Sequence, residues 1–329
     1  GGLYNCISIG GRLYAVGYTR VAYDFYGVIY VFDESLNVLA RAVSGYPSRY
    51  YSLAYDGRAL YIGGLAYEDV DGGGGEEWVC LVEMRGPEDL SLVASRRVHY
   101  GSWRYGWLLD VGVEPSTGRI WAVGSYNDHR GREYSLIVLF DSSLRVFRAI
   151  DYPEGSEGYL GELRGIAFDG RQYVYIAGEY GVAKFSVDGE LVAIDVDDES
   201  RPKIVYSHDH LYIFGVDYTR GYMRHILDIH DTNLEVVGKY VLSKDVNANS
   251  YLHFAGRPAL EGSSVYVAGF DDALGKNNTR IVVYSLSLES ATTTTTPIEQ
   301  ATTMTLTVLV GLAAVGVALA VATLLLRRG

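Results

Sequence analysis

Apolar residues along this chain fall into short alternating runs separated by polar, glycine-containing turns, the pattern of a protein built from β-strands. One run recurs six times with little change: residues 13–17 (LYAVG), 60–64 (LYIGG), 120–124 (IWAVG), 174–178 (VYIAG), 211–215 (LYIFG) and 265–269 (VYVAG). The closing glycines are 47, 60, 54, 37 and 54 residues apart, intervals that suit a four-stranded unit with loops of variable length. A turn such as Asp56-Gly57-Arg58, Ser116-Thr117-Gly118 or Asp169-Gly170-Arg171 precedes the phrase and predicts a hairpin with an earlier strand. A third apolar strand follows at 27–33, 78–83, 135–141, 181–186, 225–229 and 280–285, and a fourth at 38–43, 92–95, 146–150, 191–194 and 236–241. The repeat predicts an all-β fold over residues 1–288, a β-propeller of six blades rather than seven.

The sixth unit shows no fourth strand, since residues 286–289 run directly into threonine-rich sequence. The chain opens on an inner strand at about residues 3–9 and carries no initiator Met, so residues before Gly1 are expected to complete that blade and to include a signal peptide. Residues 289–303, with the run ATTTTTP at 291–297, are too polar and too simple to form a core and read as a stalk of the O-glycosylated kind. No charge interrupts residues 306–326. At about 1.5 Å per helical residue this stretch crosses a hydrocarbon core of ~30 Å. A single transmembrane helix is expected over 304–326, with Arg327 and Arg328 in a cytoplasmic tail at 327–329 and the propeller outside the cell.

Charge narrows the partners. Forty acidic against 28 basic residues give a net charge of −12, which disfavours nucleic acid. Cys6 and Cys80 fall on strands of different units, too far apart to bridge, and are expected to be two buried free thiols.

Residues 14–19 (YAVGYT), 28–33 (VIYVFD), 36–39 (LNVL) and 52–64 (SLAYDGRALYIGG) resemble the SBBP-type β-propeller repeats of bacterial and archaeal surface proteins, and more loosely the kelch repeat, across all six units. The outer-strand Trp of kelch blades is absent, and a double glycine occurs only at Gly63-Gly64. The resemblance implies a fold and a surface location and no catalytic residue. Joined to a threonine-rich stalk and an apolar C-terminal segment ending in Arg, the arrangement resembles membrane-anchored archaeal cell-surface proteins.

Function is therefore expected in the loops, where connections from second to third strands and from fourth to first strands emerge on one face. These loops are rich in Tyr, Trp, Arg and Asp, and the candidates for ligand binding are Tyr18, Arg20, Trp103, Tyr105, Tyr126, Asp128, Arg130, Tyr180, Asp217, Tyr218, Arg220 and Asp271. Such residues supply wide contact area at low entropic cost together with directional hydrogen bonds, as a protein or glycan partner requires. The competing reading is that rings this abundant cover blade edges. Asp69, Asp71 and Glu76 around a glycine run offer hard oxygen ligands for calcium, although their spacing matches no EF-hand and glycine runs are more often mobile hairpin tips. His208-Asp209-His210 reads as a solvated turn, and Asn277 heads a glycosylation sequon. No cofactor is expected. The sequence favours a non-enzymatic membrane-anchored module binding a protein, an envelope layer or a glycan. The alternatives are a carbohydrate-active hydrolase or lyase using carboxylates such as Asp217 and Asp271, and a purely structural envelope component.

Overall fold

The structure, a computed structural model, describes residues 1–68, 77–99, 103–196, 200–217, 222–242, 246–247, 252–261, 264–271 and 280–287. All regular structure among them is β-strand. The strands follow one another as antiparallel meanders. The first runs through β1 (Gly2–Ile9), β2 (Arg12–Val21), β3 (Asp24–Phe32) and β4 (Val38–Tyr55); the second continues from β4 into β5 (Leu60–Glu68), β6 (Glu77–Arg85) and β7 (Leu92–Val98). The third comprises β8 (Trp103–Val113), β9 (Ile120–Asp128), β10 (Glu133–Phe140) and β11 (Val146–Pro153), and the fourth β12 (Leu163–Phe168), β13 (Tyr173–Gly178), β14 (Gly181–Ser186) and β15 (Leu191–Val196). The fifth holds β16 (Ser200–Ser207), β17 (His210–Asp217), β18 (Tyr222–Asp231) and β19 (Val236–Val241), with the short β20 (Val246–Asn247) beside β18. A last sheet is formed by β21 (Leu252–Glu261), β22 (Ser264–Asp271) and β23 (Arg280–Ser287).

Each repeated phrase lies in the second strand of its meander, and burial explains why it is apolar at every position rather than at alternate ones. The five core clusters each join two successive meanders: Tyr14, Val16 and Ile29 meet Leu53, Ile62 and Leu81, for example, and Trp121, Val123 and Ile137 meet Leu163, Ile166 and Val174. Both faces of a second strand are thus covered, as in β5, where Leu60 through Ala66 are all buried. The fourth strands are exposed or half-buried at nearly every position.

The glycine that closes the phrase answers to a steric need. The first strands shift register between Leu3 and Asn5, Tyr50 and Ser52, Leu108 and Asp110, Leu163 and Gly165, Ser200 and Lys203, and Ala255 and Ala259. Each shift inserts extra residues and bends the strand toward its neighbour. A Cβ at Gly17, Gly64, Gly124 or Gly178 would overlap the carbonyl oxygen of Gly2, Arg49, Trp107 or Leu160 beside that bend. Only glycine admits so close a backbone approach.

The first strands pack in order, β1 against β4, β4 against β8, β8 against β12, β12 against β16 and β16 against β21, and β21 returns to β1. The third-to-fourth strand turns also repeat a device. Asp33, Asp141 and Asp231 accept backbone N–H bonds from residues two and four ahead, and the Leu between them, Leu36, Leu144 or Leu234, has φ of 66°, 59° or 71°. Left-handed Leu is strained, but Leu144 and Leu234 bury their side chains, and Gly189 occupies the same place in the fourth meander.

Two boundaries differ from the sequence expectation. The fourth strand of the first unit and the first strand of the second are one continuous strand, β4, which pairs with β3 through its first half and β5 through its second. A single parallel bridge, Trp78 to Tyr105, then ties β6 to β8, so β1 to β11 belong to one hydrogen-bonded sheet of 11 strands. Cys6 and Cys80 are both free, as expected, but only Cys80 is buried; Cys6 on β1 is half-buried. No helix among the described residues is long and apolar enough to cross a membrane. Residues 289–329, with the expected stalk and helix, lie outside the described residues.

Candidate ligand-binding face

The antiparallel order places the second-to-third strand turns and the fourth-to-first connections at one end of the sheets. Around the first three meanders this end is aromatic. Tyr18 on β2 stacks on Tyr4 of β1 (centroids 5.6 Å, 27° between planes) and meets the edge of Phe25 on β3 at 5.3 Å. Tyr4 meets Tyr51 of β4 at 5.1 Å, and β4 pairs with β5, which carries Tyr67. Tyr67 meets Trp78 of β6 at 5.9 Å, and Trp78 meets Tyr105 and Trp107 of β8 at 5.2 and 5.8 Å. The Arg49 guanidinium lies 4.1 Å from the Phe25 ring centre and 5.2 Å from that of Tyr18, with Arg20 at 5.9 Å from Phe25 on the rim. Tyr4 is 37% exposed and the other rings of the band are half-buried. Burial pushes the Tyr4 and Tyr51 hydroxyls upward, aided at Tyr4 by its phenolic neighbours, so both stay neutral at ordinary pH.

Local strand geometry positions these rings. Tyr4 and Tyr51 are the residues skipped by the register shifts of β1 and β4, the place where a bulge re-aims a side chain. The residues just beyond the shifts hold the first strands together through buried polar contacts. Asn5 Nδ2 donates to Ser52 Oγ at 3.2 Å, Ser52 Oγ donates to Asp110 Oδ1 at 2.6 Å, and Asp110 Oδ2 accepts Ile166 N–H at 2.9 Å. Lys203 Nζ continues the line to the Arg164 carbonyl at 3.0 Å. Deeper still, Glu83, fully buried, accepts from the Tyr46 and Tyr50 hydroxyls and from Arg85 Nε at 2.7 Å.

Around the third and fourth meanders the same end is charged. Arg164 Nη2 is shared between Glu162 and Glu179, the latter at 3.6 Å. Glu133 is held above the usual carboxylate range by burial, then by the nearby negative charge of Glu179 and Glu154, while a hydrogen bond from Tyr159 works the other way. Tyr159 meets Tyr180 at 5.9 Å.

Of the sequence candidates, Tyr18, Arg20 and Tyr105 come together in the aromatic band. Tyr126 does not: it is 4% exposed, stacks on Tyr134 at 4.5 Å and donates to Asp151 at 2.5 Å. Asp128 caps its own turn, accepting the Arg130 and Arg132 N–H groups at 2.8 and 3.0 Å, which hold its pKa down, and Arg130 is exposed beside it. Tyr180, 43% exposed, belongs to the charged sector. Asp217 is nearly buried and bound by Arg224 through Nε at 2.8 Å and Nη2 at 2.7 Å. Asp271 pairs through its backbone with Leu252 and Arg280. The side chains of Trp103 and Asp271, and Asp69, Asp71, Glu76, Tyr218, Arg220 and Asn277 altogether, lie outside the described residues. Among the described residues no three His, Cys, Asp or Glu converge to hold a metal ion. His208 and His210 occupy an exposed turn whose bonds are local. The connection expected between the first unit's fourth strand and the second unit's first strand is itself strand, since residues 46–51 lie within β4. Trp78, read as a plain strand residue, is the hinge of the aromatic band, and only its place at the start of the third strand signalled this.

The sequence matches no protein-family model and no curated protein. Its fold is nonetheless shared with solved structures. The Hadza microbial sialidase Hz136 superposes with a TM-score of 0.58 at 10% identity over 88% of this chain and 65% of its own. The sialidase of Trypanosoma rangeli gives 0.52 at 12% identity over 85% of this chain and 53% of its own. A protein of unknown function from Bacteroides caccae gives 0.51 at 11% identity over 83% of this chain and 90% of its own. This chain thus spans about two thirds or less of the two sialidases. At such identities the likeness is one of fold, that of a β-propeller, and carries no activity across.

Proposed function

We propose that the chain is a six-bladed β-propeller that binds a partner through its loop face without transforming it. Held outside the cell by the stalk at 289–303 and the apolar segment at 304–326, it would be a surface protein of the SBBP-like type. The observation that carries the reading is the aromatic band from Tyr18 to Trp107, which gathers side chains of three meanders at the loop end. Rings that served only to cover sheet edges would be spread over every meander; among the described residues these linked rings are concentrated on the first three, with Tyr4 exposed and the others half-buried. The six-blade count is supported by the sixfold phrase and by the return of β21 to β1.

The carbohydrate-active hydrolase remains the second reading. Glu133 favours it, as a half-buried carboxylate with a raised pKa beside Glu179, the kind of group that acid catalysis uses. Incubating the purified full chain with a glycan panel and cell-envelope fragments, then assaying both retention and cleavage, tests the two together. Retention without products supports the binding module. Products that vanish in Glu133→Gln would replace it with the enzyme.

A further inference from the structure

The chemistry of the aromatic band restricts its ligand further, given the binding reading above. Each Tyr and Trp of the band combines a flat apolar face with a hydrogen-bonding tip, a phenol O–H or an indole N–H. A pyranose ring is the complement of such a surface: axial C–H bonds make one face apolar, and hydroxyl groups surround it. Ring contacts at 5.1 to 5.9 Å run along β2, β1 and β4 and again along β5, β6 and β8, with β4 and β5 paired between the two runs, so the surface is elongated rather than a single cup.

Charge at the border argues against a polyanion. Arg97 is paired with Glu68, and His99 lies 3.5 Å from Glu77, both beside the Tyr67–Trp78 end. Arg49, at the other end, lies against the Phe25 and Tyr18 rings. The chain as a whole carries −12 and repels an anionic polymer at long range. We infer that the band binds an uncharged glycan chain, several pyranose rings lying along Tyr4, Tyr51, Trp78 and Trp107 with their hydroxyls bonded to the tyrosine and tryptophan tips and to Arg49.

Intrinsic tryptophan fluorescence and calorimetry on the full chain, kept in a detergent without a sugar headgroup, provide the test. The probes are neutral cello-, manno- and malto-oligosaccharides of increasing length, oligogalacturonate, and poly-L-proline as an extended peptide. The inference expects one neutral series to bind, with affinity rising with length and little changed by salt. Trp107→Ala should weaken that binding by about tenfold or more, and Tyr4→Ala, at an exposed position that leaves the core untouched, by several-fold. Tyr180→Ala should leave it unchanged. Preference for oligogalacturonate would overturn the neutral assignment and move recognition to Arg20 and Arg49. Preference for poly-L-proline would overturn the glycan and keep the binding face, as would silence toward every glycan while envelope fragments are still retained. Full neutral-glycan affinity in both Trp107→Ala and Tyr4→Ala would remove the band from recognition, and silence toward all probes and all fragments would defeat the binding reading itself.

Discussion

The aromatic and charged sectors of the loop face are neighbours on the same fold, yet their side chains keep different company. Between Tyr18 and Trp107 rings touch rings, the Tyr4 and Tyr51 hydroxyls stay neutral, and the rings rest on a sheet whose backbone bonds run unbroken from β1 to β11. Between Glu133 and Arg164 charges meet charges: Glu162 and Glu179 share the Arg164 guanidinium, and Glu133 feels the negative charge of Glu179 and Glu154, across the seam where that sheet ends and the separate sheet of β12 to β15 begins. A repeat fold thus supplies equivalent positions without equivalent chemistry. The residue skipped by the register shift is Tyr4 in β1, Tyr51 in β4, Leu109 in β8 and Arg164 in β12, so one equivalent position carries an aromatic, an aliphatic or an ionic side chain according to the meander.

The comparison breaks most readily at its foundation. Glu83→Ala would leave Arg85 and the Tyr46 and Tyr50 hydroxyls buried without their acceptor beneath the aromatic sector, at a cost of about 3–5 kcal/mol read by denaturant unfolding. Next in size comes the functional contrast. Trp107→Ala should cost glycan affinity about 2 kcal/mol with the β-sheet circular dichroism retained, whereas Tyr180→Ala should stay within about 0.5 kcal/mol; equal losses would erase the distinction between sectors.

Acid sharpens the contrast from the other side. Because Glu133 binds its proton more readily folded than unfolded, its contribution is unfavourable above its folded pKa and is relieved as pH falls through it. Glu133→Gln should therefore raise stability at neutral pH, by less than about 1 kcal/mol for a half-buried group, and the gain should disappear at pH values below the ordinary Glu range. The smallest effect belongs to the turn at Asp128, whose lowered pKa gives the opposite sign. Asp128→Ala should lower the melting temperature slightly at neutral pH, and the gap from wild type should narrow as pH falls through the carboxylate range. A gap independent of pH would mean that the carboxylate does not cap the turn.

The strands were legible because their pattern is repeated six times and because glycine is forced where β2, β5, β9 and β13 pass the bent first strands. The ends of those strands were not. A closing glycine looks like a strand terminus, but pairing continues past it, Thr19 with Tyr26 and Tyr126 with Tyr134, which turns apparent loop residues into strand residues. Tyr126 was misplaced for that reason: the ring stack on Tyr134 that buries it exists only because the hairpin extends. The contacts among Asn5, Ser52, Asp110 and Ile166 N–H were invisible for another reason, since structurally equivalent positions carry chemically unlike groups and no repeat in the letters marks them. Tyr18, Arg20 and Tyr105 were found by composition alone, whereas Trp78 required knowing that β6 bridges to β8.

The unbroken sheet also sets how the molecule yields to force. Meanders four, five and six meet their neighbours through side chains, and such seams open under shear or peeling one at a time. The first three are stitched by backbone bonds through β4 and the Trp78–Tyr105 bridge, so separating them means rupturing a ladder as well as a core. A pull arriving along the chain from the end of β23 would strip the later meanders in reverse order, leaving the part of the face that holds the rings loaded last.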